Sequence, residues 1–190
     1  MLFSNNWKGF FTEVKNWILL PVMFLALNSF AQEAAKPKQP PTLKSILLMQ
    51  LRETHNQKNW FVSGKEAGEG LIAEQAAWSD GKNHSVGQLV AHLVFWNSVN
   101  LASFKGEHPK EPADNNDTFK FDPSRWEATI KQFDTVMTGL EQFVENADNA
   151  TLEKIAPNVA RISMHNAYHI GEIIAVRKQH GMWNPDIGVK

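Results

Sequence analysis

The sequence predicts an all-α protein, a four-helix bundle preceded by a signal peptide and a proline-rich spacer. Three observations support this prediction. Four segments of about twenty residues repeat apolar side chains at helical spacing, capping and stop residues bound these segments, and no segment alternates as a β-strand does. The chain has 190 residues, of which 43% are hydrophobic and 21% charged, so it is long enough for one domain with a sizeable core.

Residues 1–31 have the layout of a secretory signal peptide. Two lysines precede an apolar run at residues 18–27, and Ser29 and Ala31 occupy the small-residue positions of a cleavage site. A transmembrane anchor is the alternative, but the run is too short to span a bilayer and contains Pro21. We therefore expect cleavage near Ala31, a secreted or periplasmic protein, and no stable membrane anchor.

The next residues predict a spacer and then the first helix. Residues 32–42 contain three prolines, which favour a flexible, extended segment. We expect the domain at residues 43–183, followed by a C-terminal tail at residues 184–190. Thr42 is a candidate cap for a first helix that runs to about Phe61.

A connector and the second long helix come next. The stretch "SGKEAGEG" lacks the ending of a phosphate-binding loop and is interpreted as a flexible connector, followed by a short helical turn within residues 71–78. Asn83 or Ser85 can cap a second helix that runs to about Lys105, where Gly106 stops it.

Prolines mark the two remaining helices. Residues 107–122 have the Pro, Asn and Asp content of a surface loop. Pro123 is expected at the start of a third helix, which runs to about Ala147 with apolar side chains at three- and four-residue steps. Pro157 is expected to open the fourth helix, which ends at Gly181.

Composition excludes several classes of function. The chain contains no cysteine, which rules out a thiol nucleophile, a Cys-ligated zinc site and an iron–sulfur cluster. The net charge is −1 with interspersed acids and bases, so no basic patch predicts nucleic-acid binding. We therefore expect the partner to be a small-molecule substrate, whose identity is unknown.

Three histidines form a candidate metal site. His165 and His169 are four residues apart on the fourth helix, so both imidazoles lie on one face, together with Ile162, Ile173 and Val176. His92 lies in the second helix within the apolar run "VGQLVAHLVFW". A buried pair of imidazoles is costly unless a cation takes a neutral nitrogen from each, and His92 can supply the third ligand if the two helices pack together.

The spacing invites comparison with the "HExxH" motif of zinc proteases. Here the run is "HNAYH", and Asn166 stands where the protease has its general base. Because an amide does not accept a proton near neutral pH, a zincin-type protease is not predicted.

Three stretches together resemble the DinB-like superfamily, including its YfiT-type members: "THNQKNWF", "HSVGQLVAHLVFWN" and "HNAYHIGEIIAVRKQHG". The resemblance spans nearly the whole expected domain and implies a four-helix bundle. It also implies that His92, His165 and His169 bind a divalent metal ion, most often zinc or nickel. Some members of the family use the metal in thiol-dependent transferase or isomerase reactions, and relatives often form homodimers.

The sequence leaves the roles of two further side chains undecided. Glu172, three residues after His169, is a candidate catalytic proton acceptor or an extra metal ligand; the alternative is a solvated helix charge paired with a lysine or arginine. His55, on the first helix, is at a position that faces the pocket in some relatives, but a surface or structural role is favoured because nothing at helical spacing pairs with it.

The expected function is therefore that of a metal-binding DinB-like protein, a metal-dependent transferase or hydrolase with an open coordination position. Export weakens the thiol-transferase interpretation, because low-molecular-weight thiol cosubstrates are cytosolic. An exported metal-binding or stress-related protein without turnover is the alternative. A bundle whose histidines are only structural is the third possibility, and it predicts no bound metal.

Overall fold

The structure, a computed structural model, describes residues 40–188, and every regular element within that range is helical. The all-α prediction is confirmed. The predicted signal peptide and most of the predicted spacer lie outside the described residues. The α-helices are α1 Leu43–His55, α2 Gly64–Gly68, α3 Ala73–Ala77, α4 Val86–Phe104, α5 Trp126–Asn146 and α6 Asn149–Gln179. Short 3₁₀ helices occupy Asn115–Phe119, Pro123–Arg125 and Pro185–Ile187.

Polar side chains cap the long helices where the sequence places suitable residues. Thr42 and Ser85 accept hydrogen bonds from backbone N–H groups in the first turns of α1 and α4, as predicted. In both caps the side chain three residues later accepts a hydrogen bond from the backbone N–H of the cap residue, which completes a capping box. Asp148 caps α6 in the simpler way, through its carboxylate and the N–H of Thr151.

The four long helices enclose one core. α1 and α4 each pack against both α5 and α6. The side chains that meet between them are almost entirely buried and aliphatic. The largest fully buried ones include Leu51, Leu93, Met137, Leu140, Leu152, Ile170 and Ile173. None of the helices within residues 40–188 combines the length and apolar character that crossing a bilayer would require.

Two predicted helix boundaries are wrong. α1 ends at His55 rather than near Phe61, and the backbone N–H of Asn56 closes it on the carbonyl of Arg52. α6 begins eight residues before Pro157, so this proline lies inside the helix rather than opening it. Proline there cannot donate to the carbonyl of Glu153. Both residues are exposed, so water can reach that carbonyl.

The predicted flexible connector contains a short helix. Ser63 caps α2 through a capping box with Glu66, and Gly64 packs tightly against α1 and α5. A Cβ at Gly64 would lie 2.7 Å from Cζ of Phe133 and 2.8 Å from the carbonyl oxygen of Thr54. The glycine therefore serves close packing here.

Candidate metal centre

α4 and α6 bring the three predicted histidines together. His92 on α4 and His169 on α6 are 3% and 7% exposed, while His165 is only partly buried. The one-turn spacing within α6 and the packing of α4 against α6 account for the convergence. We call His92, His165 and His169 the histidine triad. Within residues 40–188, this is the one group of three or more acidic or histidine side chains whose ligand atoms lie close enough to one another to hold a single metal ion.

The Nε2 atoms of the triad face one another. Nε2 of His165 lies 3.1 Å from Nε2 of His92 and 3.1 Å from Nε2 of His169. The three ligand nitrogens all lie within 4.8 Å of one another. Nitrogens held about 2.0–2.1 Å from one ion at tetrahedral angles are about 3.3 Å apart, so the donor set and its spacing fit a divalent cation.

A threonine in the segment between α4 and α5 sets the hydrogen position on His92. Oγ1 of Thr118, in the 3₁₀ helix Asn115–Phe119, lies 2.5 Å from Nδ1 of His92. The same hydroxyl donates its hydrogen to the carbonyl oxygen of Asn115 at 2.6 Å. It must therefore accept from Nδ1–H of His92, which leaves a lone pair on Nε2.

Glu172 likewise sets the hydrogen position on His169. Its Oε2 lies 2.6 Å from Nδ1 of His169, and a carboxylate can only accept there. His169 accordingly carries its hydrogen on Nδ1 and presents the Nε2 lone pair to the other two rings. Glu172 thus contacts the nitrogen of His169 that faces away from the other imidazoles, rather than standing beside Nε2.

The lone pairs cannot all be satisfied within the protein. A neutral His165 carries at most one hydrogen on Nε2, which can serve only one of the two lone pairs that face it. The pKa of His165 is lowered to about 4 by burial and by His169, against the opposite influence of Glu172. The pKa of His92 is lowered to about 3, chiefly by burial and then by His169 and His165. Both rings are therefore neutral at pH 7, as metal ligation requires.

Aromatic rings close one side of the site. Phe119 stacks on His92 with the ring centroids 3.9 Å apart and the planes 7° from parallel, and His84 stacks on the other face of Phe119 at 3.9 Å. The predicted surface loop therefore contributes two buried residues, Thr118 and Phe119, to the surroundings of His92. No sequence signal pointed to either, because their role depends on a contact with another helix.

Asn166 is turned away from the imidazoles. Its Oδ1 accepts from Nδ2 of Asn97 at 3.1 Å, and its own Nδ2 donates to Sδ of Met137 at 3.4 Å. The side chain is fully buried. It links α4, α5 and α6 behind the triad.

Comparison with known proteins decides the family. The model of the DinB superfamily matches residues 65–176, a range that includes all three histidines and Glu172. The chain belongs to the DinB superfamily. No curated protein and no solved structure matches it. α1 lies before the matched range, so His55 lies outside the residues of this DinB protein that the family model matches.

His55 forms a separate buried centre. It is 1% exposed, so a surface position is excluded. Its Nδ1 lies 2.6 Å from Oε1 of Glu141, and its Nε2 lies 3.1 Å from Oδ1 of Asp134. Both carboxylates come from α5, which explains why no partner at helical spacing could be found on α1. We call His55, Asp134 and Glu141 the carboxylate centre.

Proposed function

We propose that this DinB protein binds one divalent metal ion through His92, His165 and His169, inside a four-helix bundle. The observation that carries the proposal is the convergence of three Nε2 atoms at a point where two of them are held as lone-pair donors by Thr118 and Glu172. Without a cation this arrangement sets lone pairs against one another. A cation turns the same arrangement into a binding site.

The donor set narrows the metal to a group of ions. Three neutral imidazoles without a thiolate suit zinc, nickel, cobalt, copper and iron, and affinity order alone does not decide between them. Zinc or nickel is proposed, in keeping with the family. Three protein ligands leave a coordination position open, which is typical of catalytic rather than structural sites.

We further propose that the protein is a metal-dependent enzyme, a transferase or a hydrolase. When bound, the metal supplies Lewis acidity and acidifies a water or thiol that reaches its open position. Thr118 and Glu172 fix the orientation of His92 and His169, and Phe119 shields the ring of His92 from water. Glu172 acts through His169 and is in this proposal a positioning residue, not a catalytic base.

Export, predicted from residues 1–31, favours hydrolysis over transfer to a low-molecular-weight thiol, since such thiols are cytosolic. A non-catalytic, exported metal-binding protein is the alternative function. It would bind the metal equally well and show no turnover with either class of substrate.

Elemental analysis of the chain, purified without a histidine tag, tests the metal proposal. We expect one divalent ion per chain in the unaltered protein and loss of stoichiometric metal in His92→Ala, His165→Ala and His169→Ala. The matched control is His108→Ala, which removes an exposed histidine and should retain full occupancy. Full occupancy in all three triad variants would overturn the proposal, as would an unaltered protein that takes up no metal from zinc- or nickel-containing buffer.

A further inference from the structure

A cleft opens beside the least buried member of the triad. It has a volume of 320 Å³ and lies between α4 and α6. Ligand sites of proteins commonly begin at about 300 Å³, so the cleft is large enough for a small molecule. The residues that line it are Trp96, Asn97, Asn100, Asn158, Arg161, Ile162 and His165. A molecule in this cleft would therefore be in contact with both His165 and Arg161.

Arg161 is a cation without an acidic partner. It lies one helical turn before His165 on α6 and is exposed. Its Nη1 donates to Oδ1 of Asn158 at 3.2 Å. Within residues 40–188, no carboxylate oxygen lies within 4.0 Å of its guanidinium nitrogens. A guanidinium has five N–H donors in a fixed fork, so most of its donors are available to a ligand.

The rest of the cleft lining has no charged side chain and includes three amides. Asn97, Asn100 and Asn158 contribute amides, and no Asp or Glu lines the cleft. The bond from Nη1 to Asn158 orients the guanidinium beside the cleft. The lining thus combines one unpaired cation with hydrogen-bonding side chains, and its charge favours an anion.

A larger cleft elsewhere lacks this charge pattern. It has a volume of 590 Å³ and is lined by the acids Asp117 and Asp122 together with Lys120 and Arg125. Nζ of Lys120 lies 2.7 Å from Oδ1 of Asp117, so part of that charge is already neutralised within the protein. This cleft is larger than the cleft at His165, but charge and the adjacent triad favour the cleft at His165.

We infer that the cleft at His165 binds a small substrate with an oxyanion group, a carboxylate or a phosphate, which Arg161 holds while the other end of the substrate faces the triad. The inference rests on the proposed metal site. Side chains one turn apart on a helix have Cβ atoms about 5–6 Å apart, so a substrate of a few carbon atoms reaches from His165 to Arg161. Arg161 is the residue that selects a charged substrate over a neutral one.

Calorimetric titration of the zinc-loaded full chain tests the inference with three probes. Acetate can use the metal alone, succinate offers a second carboxylate, and 3-phosphonopropionate offers a phosphonate in place of that carboxylate. We expect succinate or 3-phosphonopropionate to bind about tenfold more tightly than acetate, the effect of one hydrogen bond to a charged group. The tighter of the two identifies the oxyanion.

Substitution of Arg161 should remove this advantage selectively. Arg161→Gln should bring the affinity of the tighter probe down to that of acetate, leave acetate binding and zinc content unchanged, and leave the far-ultraviolet circular dichroism unchanged. Arg161→Lys should restore part of the advantage, because it restores the charge without the fork. Arg125→Gln is the matched control, since it removes an exposed arginine outside the cleft and should change nothing.

The outcomes separate the two proposals. Zinc bound at one ion per chain, with equal affinities for acetate and both longer probes, would overturn the inference and leave the metal site standing. The same holds if Arg161→Gln weakens acetate as much as the longer probes. A chain that binds no metal would overturn both.

Discussion

The carboxylate centre and the histidine triad are both built on buried imidazoles, but their surroundings differ. In the carboxylate centre, both ring nitrogens of His55 face carboxylate oxygens, so every hydrogen that the ring can carry has an acceptor within the protein. In the triad, the nitrogens face one another, and acceptors are in excess of donors. The first centre is complete with protein atoms alone. The second leaves a lone pair without a donor, which fits the proposed cation.

This contrast shows why burial alone does not identify a metal ligand. His55 is more buried than any member of the triad, at 1% exposure. What distinguishes the triad is the identity of the neighbouring atoms. His55 meets a carboxylate at each ring nitrogen, whereas the triad histidines turn their Nε2 atoms toward one another.

Substitution of His55 should have the largest effect on stability. His55→Ala leaves the carboxylates of Glu141 and Asp134 without their buried partner and opens a cavity beside Phe133, so we expect the free energy of unfolding to fall by about 3 kcal/mol. Urea unfolding measures the loss. It should be the same in zinc-loaded and chelator-treated protein, because the carboxylate centre contains no metal ligand.

Two observations accompany that measurement. His108→Ala, the exposed control, should unfold like the unaltered protein. If His55→Ala instead lost its metal while keeping its stability, the two centres would be coupled and the contrast between them would be wrong.

Sequence reasoning found the residues that local spacing can reveal. The pair His165 and His169 follows from one-turn spacing, and the caps Thr42 and Ser85 follow from the chemistry of helix starts. The start of α6 was missed because proline at a first helical position is a strong local signal. Asp148 caps the helix earlier, and an exposed proline is tolerated inside it.

The partners of the histidines could not be predicted, because they come from distant parts of the chain. Thr118 approaches His92 from the segment between α4 and α5, and Glu141 approaches His55 from α5. Neither contact can be recognised from a periodic pattern in the sequence. Glu172 is the exception, since its spacing from His169 placed it near the triad, although its contact with Nδ1 required the structure.

Removal of these partners should weaken metal binding without abolishing it. Glu172→Ala and Thr118→Val each take away the acceptor that fixes a ring hydrogen, and we expect the zinc affinity to fall about tenfold to a hundredfold in each. Competition with a chromophoric chelator measures the affinity. Glu153→Ala, which removes an exposed glutamate from the same helix, is the matched control and should bind zinc normally.

Glu172→Gln distinguishes orientation from other roles of the carboxylate. The amide oxygen can still accept from Nδ1 of His169, so most of the zinc affinity should return. An affinity as low as that of Glu172→Ala would contradict the positioning role and indicate that the negative charge itself is required.

The last expected effect is a pH dependence that the triad contributes to the stability of the metal-free protein. The pKa values of His92 and His165 are lowered to about 3 and about 4 from the usual 6.5, so between pH 6.5 and about pH 4 the unfolded chain binds protons that the folded chain does not. Stability from these groups is therefore intact above pH 6.5 and is lost as the pH falls toward 4. Each proton bound by the unfolded chain alone changes the free energy of unfolding by at most about 1.4 kcal/mol per pH unit.

To isolate this contribution, urea unfolding is measured in the presence of a chelator at several values between pH 7.5 and pH 4.5. The unaltered protein is compared with His92→Phe. Phenylalanine keeps the stacking on Phe119 but cannot bind a proton, so the free energy of unfolding should fall less steeply with decreasing pH in the variant. His108→Ala should follow the unaltered protein. Parallel curves for the unaltered protein and His92→Phe would mean that the imidazoles of the triad find hydrogen-bond partners of their own, as His55 does, and the distinction between the two centres would fail.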